Sequence, residues 1–303
     1  MGVRWQQLGA ADRDATLGWP SMIAALGGLG AAFAWATTTI CATRAARLIG
    51  APSVLAWVML TGLVLTLPWS LFRGVPDVDG TATLWLIVAG FGNCAGLLLV
   101  YTGVRIGKVG VVAPIASTEG AIAALIAVAV GEHLAPGTGV ALAVVAVGIV
   151  LAGVTRDSSS SESSTRDLEA ALFGAAAALS FGVSLYATGR VGTELPVAWA
   201  ILPPRVIGVV AIALPLVIAA RLTLTRRALP FVLVAGVAEV VGFVFFVLGA
   251  RHGIAISAVL ASQFGAIAAI LAVFLFRERL TRLQIVGIAA IGVGVAVMSA
   301  LQA

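Results

Sequence analysis

The sequence predicts an all-α membrane protein, with ten transmembrane helices arranged as two inverted repeats of five. Three observations lead to this prediction. Of the 303 residues, 61% are hydrophobic and only 10% are charged, whereas soluble globular domains carry about 25% charged residues. The apolar residues form ten runs long enough to cross a bilayer, and the two halves of the chain repeat one pattern. A chain with so little charge cannot cover its surface in water, so we expect the lipid bilayer to be its main partner.

The ten apolar runs follow one another along nearly the whole chain. A spanning helix needs roughly 20 predominantly apolar residues, and inside lipid the backbone must satisfy its own hydrogen bonds, which favours helices. Residues 1–20 contain several charges and are expected to form an N-terminal tail outside the membrane. The predicted helices 1 to 10 occupy, in order, residues 21–42, 52–72, 82–104, 111–130, 137–154, 169–188, 198–219, 230–249, 255–275 and 284–301.

The longest polar stretch lies at the midpoint of the chain. Residues 155–167 read TRDSSSSESSTRD, and a Ser-rich composition of this kind is typical of a flexible linker. It separates a first repeat at 21–154, with helices 1 to 5, from a second repeat at 168–303, with helices 6 to 10.

The two halves are related by one constant offset. Adding 146 to a residue number in the first half gives its counterpart in the second half without a gap, so that Trp35 corresponds to Phe181. Because each repeat contains an odd number of helices, the second repeat must enter the bilayer from the opposite side, which is the inverted arrangement of many secondary transporters. Other matching pairs are Gly28 and Gly174, Arg44 and Arg190, Gly62 and Gly208, Gly96 and Gly242, Arg105 and Arg251, and Gly148 and Gly294.

Two stretches, residues 114–153 and 257–298, each contain a long apolar helix, a short polar turn and a Gly-rich final helix. They resemble the closing helix pair of the EamA domain in the drug/metabolite transporter superfamily, and the resemblance covers about residues 20–301. Two positions depart from the family pattern: His133 replaces the usual Arg, and Arg277 replaces the usual Gly. The two turns are Gly131-Glu132-His133-Leu134 and Arg277-Glu278-Arg279-Leu280-Thr281.

The resemblance implies a ten-helix carrier in which helices 1, 3, 4, 6, 8 and 9 line a central cavity. It predicts a secondary active transporter in the plasma membrane that exports a small organic metabolite (an amino acid, a nucleobase or a drug-like compound) by alternating access. The proton is a candidate coupling ion. We expect neither enzymatic activity nor a cofactor, and both a monomer and a homodimer are compatible with the sequence.

Two acidic residues lie deep in predicted helices, Glu119 in helix 4 and Glu239 in helix 8. Charged groups at this depth cost about 2.5–3.5 kcal/mol on insertion scales and usually serve a function. The offset places Asn93 opposite Glu239 and Gly265 opposite Glu119, so the acids break the symmetry of the repeat. Each carboxylate could bind a cationic group of the substrate or exchange a coupling proton. Alternatively, each could pair with a buried polar group and hold helices together.

Other residues near the middle of the lining helices could contact a ligand or join helices through hydrogen bonds. Three aromatic residues could flank a ligand or serve as packing and interface anchors. Arg205, about seven residues into helix 7, is expected to extend towards the interface, with a buried ion pair as the alternative. The polar candidates are Asn93, Ser117, Thr118, Ser262 and Gln263, and the aromatic candidates are Trp35, Tyr101 and Tyr186.

The orientation in the membrane stays open at this point. Predicted loops on the side of the N-terminus carry five arginines, and those on the other side carry twelve lysines and arginines. The positive-inside rule then puts both termini outside the cell, whereas the family resemblance implies that both termini lie in the cytoplasm.

Two other function classes are a channel-like facilitator and a membrane-embedded enzyme. A channel usually needs a repeated selectivity element, and an enzyme needs clustered reactive groups. No Asp lies inside a predicted span, and neither Gly-x-Ser-x-Gly nor His-Glu-x-x-His occurs. His133 and His252 are far apart in the sequence, so we expect no metal site. The Lys and Arg residues are scattered between apolar runs, which is not the pattern of a nucleic-acid-binding surface.

Overall fold

The computed structural model describes residues 4–130, 161–277 and 282–302, together with positions 140 and 144. Within these residues the regular secondary structure is entirely helical. The expected helix 5, the turn at residues 131–134 and residues 278–281 of the second turn lie outside the described residues.

Three long helices and two short ones make up the described part of the first half. Helix α2 starts after Gly50, whose φ of +82° suits glycine. Helix α3 is capped by the Asp79 side chain, which accepts a hydrogen bond of 2.6 Å from the Ala82 N–H. The helices are α1 (Arg4–Ile49), α2 (Ala51–Phe72), α3 (Gly80–Ile106), α4 (Val109–Ala116) and α5 (Glu119–Ala129).

The second half follows the same plan, with an additional irregularity in its second span. There a π-helical turn, Val209–Ala213, directly precedes α8. In a regular helix the Pro215 ring would clash with the carbonyl four residues earlier, and the wider turn avoids this clash. The helices are α6 (Ser161–Gly192), α7 (Val197–Gly208), α8 (Leu214–Ile218), α9 (Leu229–Ala250), α10 (Ile254–Ala261), α11 (Phe264–Leu275) and α12 (Arg282–Gln302).

The prediction of an all-α, multi-pass membrane protein is confirmed. Among the described residues, seven helical segments are long and apolar enough to cross a membrane, and two apolar helices, Val109–Ala123 and Ile285–Gly294, are shorter. The seven segments are Met22–Ile49, Ala51–Phe72, Gly80–Ile106, Thr165–Gly192, Val197–Ile218, Leu229–Ala250 and Ser257–Leu275.

Two helices extend beyond their expected starts. Helix α1 begins at Arg4, inside the expected tail, and α6 begins at Ser161, inside the stretch expected to be a flexible linker. Near its expected start, α6 contacts the junction of α3 and α4. Asp167 forms an ion pair of 3.5 Å with Lys108, and a methyl group added at Gly107 would lie only 2.3 Å from the Ala170 Cβ. The last seven residues of the expected linker are helical.

The most extensive helix pairings join the two halves. Helix α1 packs antiparallel to α9: Gly27 faces Gly249, and farther along α1 the Thr38 hydroxyl donates a hydrogen bond of 3.3 Å to the Ala235 carbonyl. Helix α3 packs antiparallel to α6, and α2 packs antiparallel to α7. The contacts behind these two directions are Gly92 with Ser180, Gly107 with Ala170, Met59 with Gly208, and Ser70 with Ala198.

Two apolar stretches are interrupted near their middle, between α4 and α5 and between α10 and α11. The α4–α5 stretch runs parallel to α6, and the α10–α11 stretch runs parallel to α1. The interrupted stretches contact each other at the interruptions, where the Gly120 N–H donates a hydrogen bond of 3.0 Å to Ser262 Oγ. On the other side of the contact, a methyl group at Gly265 would lie 2.4 Å from Ser117 Oγ. The sequence analysis placed one span on each stretch, at residues 111–130 and 255–275, and located neither interruption.

Candidate functional site

An internal cavity lies where α1, α3, α5, α6, α9 and α11 meet. Its empty space is about 470 Å³, counting any part that is open to the outside. Its walls combine acidic, amide, hydroxyl, aromatic and aliphatic side chains. The lining residues are Trp35, Thr38, Thr39, Asn93, Leu97, Val100, Tyr101, Glu119, Phe181, Ser184, Leu185, Glu239, Phe243 and Phe264.

The lining residues occur in pairs that are separated by the repeat offset. Asn93 and Glu239 are 146 positions apart and are joined by a hydrogen bond across the cavity wall. Equivalent positions from both halves therefore build most of the wall. The other lining pairs at this offset are Trp35 and Phe181, Thr38 and Ser184, Thr39 and Leu185, and Leu97 and Phe243.

Glu239 lies near the middle of α9 and is only 3% exposed. Its Oε1 accepts a long hydrogen bond of 3.4 Å from Asn93 Nδ2. The Asn93 Oδ1 atom is buried without a hydrogen-bond partner among the described residues. The amide of Asn93 thus supports one carboxylate oxygen of Glu239 and presents an unused acceptor of its own.

Glu119 is the first residue of α5, and its side chain reaches the cavity because the helix is interrupted just before it. The Ser117 hydroxyl donates to the Pro114 carbonyl and the Thr118 hydroxyl to the Ile115 carbonyl, both at 2.8 Å. Such local hydrogen bonds compete with the helical ladder. Glu119 is 4% exposed, and no described group donates a hydrogen bond to its carboxylate. The positive end of the α5 dipole favours an anion at this position.

Aromatic rings form the apolar part of the wall. The Trp35 ring packs edge-on against Phe243, with centroids 5.1 Å apart, and against Phe264 at 6.4 Å. Glycines allow the close approach behind two of the rings: a methyl group at Gly242 would lie 2.4 Å from Trp35 Nε1. The same relation recurs in the other half, where a methyl group at Gly96 would lie 2.4 Å from the ring of Phe181.

Arg205 is buried inside the protein, so the expectation that it extends to the interface is wrong. Its side chain is 0% exposed and fits beneath Gly62, where a methyl group would lie 2.9 Å from Arg205 Cγ. Nη1 donates a hydrogen bond of 2.9 Å to the Ile201 carbonyl. The guanidinium carbon lies 4.8 Å from the centroid of the Phe243 ring, and Nε and Nη2 have no hydrogen-bond partner among the described residues. A cation therefore lies directly behind the cavity wall.

The predicted site residues divide into two groups. Glu119, Glu239, Asn93 and Trp35 line the cavity. The other four are absent from its lining: Ser117 and Thr118 lie in the first helix interruption, Gln263 lies in the second, and Tyr186 packs against Trp85 with ring centroids 5.7 Å apart.

Several lining residues were missed by the sequence analysis. Phe181 had a usable signal, because the repeat offset makes it the counterpart of Trp35. The offset also relates Ser184 to Thr38. Phe243 and Phe264 had no such signal, since an aromatic residue within an apolar span resembles any other core residue.

The family model of EamA-like transporters matches residues 22–154 and again residues 168–300. The chain belongs to the EamA-like transporter family. This confirms the resemblance drawn from the sequence, and the double match identifies a duplicated EamA domain. The helices that line the cavity of this EamA protein are also those that the resemblance implied.

One solved crystal structure of a protein resembles this EamA chain with a TM-score of 0.67. The similarity covers 92% of this chain and 98% of that one at 18% sequence identity. At this identity, the likeness establishes a shared fold and nothing about substrate. Among curated proteins, none matches this sequence.

Proposed function

We propose that this protein is a secondary active transporter that exports a small organic molecule across the plasma membrane by alternating access, with protons as the coupling ion. The observation that carries the proposal is the cavity. It lies between the two halves, it is built from equivalent positions of both, and it contains two carboxylates that lie deep within membrane-spanning segments. Substrate and coupling-ion sites of repeat-built transporters lie at such an interface.

The directions of the helices support an inverted repeat. Helices α1, α2 and α3 alternate in direction because short connections join them. Helix α6 corresponds to α1 under the repeat offset, yet it packs antiparallel to α3, which runs in the same direction as α1. Helix α9 corresponds to α3, yet it packs antiparallel to α1. Each of these helices therefore runs opposite to its counterpart, as an inverted repeat requires.

The same contacts support ten spans. Along the parallel pairing of the α4–α5 stretch with α6, Ile115 contacts Gly174 and Ile122 contacts Gly182. The α4–α5 stretch therefore ends at the membrane face opposite to the one at which α6 begins. This arrangement supports our proposal of a further span between these ends, for which the sequence offers the apolar run at 137–154.

The interruptions provide a mechanism for alternating access. Each half contributes one discontinuous stretch, and the two stretches contact each other at the Gly120–Ser262 hydrogen bond beside Glu119. Rocking of one half against the other about this contact would open the cavity towards each face in turn. The substrate classes that we propose are amino acids, nucleobases and drug-like compounds, because the lining combines a few polar groups with aromatic and aliphatic side chains.

Counterflow in proteoliposomes tests the proposal. A thermal-shift screen of amino acids, nucleobases and organic cations on the purified protein first selects a compound that binds. Vesicles preloaded with that compound should then take up its labelled form faster than empty vesicles, and uptake should saturate. Uptake that neither saturates nor responds to the internal compound would indicate a channel instead, and chemical conversion of the compound would indicate an enzyme.

A further inference from the structure

The charged groups around the cavity are few. Helix α5 contributes Glu119, α9 contributes Glu239, and α7 contributes Arg205. The described residues of α2, α4, α10 and α11 contribute no ionisable side chain. The remaining ionisable groups in the middle of the packed helices are the thiols of Cys41 and Cys94 and the phenols of Tyr101 and Tyr186.

These three groups surround one cavity. Glu119 and Glu239 both line it, and the Arg205 guanidinium lies against the ring of Phe243, one helical turn after Glu239 in α9. With both carboxylates ionised, the cluster carries two negative charges and one positive charge. One negative charge is then uncompensated in a region where the bilayer disfavours net charge. One proton or one bound monovalent cation would neutralise it.

Arg205 is a fixed counter-charge rather than a ligand-binding group in this conformation. It is absent from the cavity lining, and the ring of Phe243 separates its guanidinium from the cavity. Its Nη1 is already bonded to the Ile201 carbonyl. An anionic group in the cavity would therefore meet two carboxylates and no basic side chain among the lining residues.

The lining matches an organic cation. The Asn93 Oδ1 atom is a buried acceptor without a hydrogen-bond partner among the described residues, and the Glu119 carboxylate lines the same cavity. The rings of Trp35, Phe243 and Phe264 surround the same space. Ring faces attract cations, most strongly when both are shielded from water, and the apolar walls suit an aromatic or branched hydrocarbon body.

Building on the proposed function, we propose that the cavity binds one monovalent organic cation with an apolar body in exchange for one proton carried by Glu119. The proton leaves the Glu119 carboxyl group when the cation binds, and it returns when the cation is released. Glu239 keeps its bond from Asn93 and its compensation by Arg205 throughout. Each exchange moves one positive charge in each direction, so transport is electroneutral. Anions and zwitterions are disfavoured because the described lining has two carboxylates and no basic side chain. The donors that a negative group would meet there, Trp35 Nε1 and the Tyr101 hydroxyl, are neutral.

Calorimetry with benzyltrimethylammonium on the purified protein tests this assignment. Repeating the titration in buffers of different ionisation enthalpy gives the number of protons released. We expect about one proton per bound cation at low pH, and a tenfold rise in affinity per pH unit over the range in which Glu119 is protonated. Phenylalanine, a zwitterion with a similar ring, should bind at least tenfold more weakly, because its carboxylate would meet only neutral donors beside two carboxylates. Binding without proton release, or equal binding of phenylalanine, would overturn the assignment.

Variants of Glu119 separate its role from general damage. Glu119→Gln should abolish proton release and weaken cation binding at least tenfold. Glu119→Asp, which keeps the carboxylate, should retain release of about one proton with reduced affinity. Glu169→Gln, an exposed acid at the start of α6, is the matched control and should leave both values unchanged. Full proton release by Glu119→Gln would contradict the assignment to Glu119.

Transport measurements distinguish failure of this inference from failure of the carrier proposal. An imposed pH gradient should drive benzyltrimethylammonium uptake into proteoliposomes, and an imposed membrane potential should leave the rate unchanged. A twofold or larger response to the potential would overturn the one-to-one exchange. Counterflow of an amino acid or nucleobase without any cation transport would overturn the substrate class but leave the carrier intact, whereas absence of counterflow for every binding compound would overturn the carrier itself.

Discussion

Replacing Gly242 by alanine tests whether the Trp35 indole, which lines the cavity, packs directly against the backbone of α9. The added Cβ would lie 2.4 Å from Trp35 Nε1, whereas ordinary contacts are 3.4–4 Å. The indole or the helix must therefore move by about 1 Å. The indole has little freedom, because the rings of Phe243, Phe246 and Phe264 surround it at centroid distances of 5.1, 6.1 and 6.4 Å.

The magnitude follows from two opposing effects. Overpacking a rigid core typically costs about 1–3 kcal/mol, and replacing glycine by alanine in a helix returns about 0.5–1 kcal/mol. These ranges combine to a net loss of about 0–2.5 kcal/mol. Because three rings hold the indole, we expect the upper part of that range, about 1–2.5 kcal/mol, or a melting temperature lower by about 2–10 °C. Thermal unfolding in detergent, followed by tryptophan fluorescence, measures it.

Gly292→Ala is the matched control, since a methyl group at Gly292 in α12 meets nothing within 4 Å. It should leave the melting temperature unchanged or raise it slightly. The double variant with Trp35→Phe should lose less stability than the sum of the single variants, because the smaller ring leaves room for the methyl group. A melting temperature of Gly242→Ala equal to that of Gly292→Ala would refute the packing argument.

Three further changes have calculable outcomes. Arg277→Gly should stabilise the protein by about 1 kcal/mol, because Arg277 has a φ of +53° that favours glycine; an unchanged or lower melting temperature would contradict this. Ser262→Ala should destabilise the protein by about 1–3 kcal/mol in the same assay, since the buried Gly120 N–H loses its acceptor. A melting temperature equal to that of the parent protein would show that this bond does not stabilise the contact between the two interrupted stretches. Asp79→Ala should cost about 1 kcal/mol by removing the cap of α3, with the exposed Asp77→Ala as a control that should remain near the parent value.

Part of the candidate site could be predicted because buried polar groups are rare in lipid. Glu119 and Glu239 were identified by the free-energy cost of placing carboxyl groups in spanning segments. The repeat offset then related Asn93 to Glu239, and the structure joins these two side chains by a hydrogen bond. Phe243 and Phe264 could not be identified in this way, since burying an aromatic side chain in an apolar span costs no free energy that would set it apart from other core residues.

Two features depend on tertiary contacts that periodicity does not encode. Hydropathy continues through both interruptions. At the first, the Ser117 hydroxyl bonds to the Pro114 carbonyl while the Thr118 N–H bonds three residues back to the Ile115 carbonyl. At the second, the Gln263 N–H likewise bonds three residues back, to the Leu260 carbonyl. Arg205 was expected to reach water because it lies near the start of a span. The chain instead encloses it beneath Gly62 and against Phe243, and neither contact follows from the position of Arg205 in helix 7.

The accessibility of the cavity from both membrane faces tests the central claim most directly. Thr38 lines the cavity from α1, so Thr38→Cys can be labelled with a membrane-impermeant maleimide after Cys41 and Cys94 have been replaced by alanine. Alternating access predicts labelling from either face, in right-side-out and in inverted vesicles, and protection by a bound ligand on both sides. Labelling from one face only, with or without ligand, would contradict a cavity that opens to each side in turn.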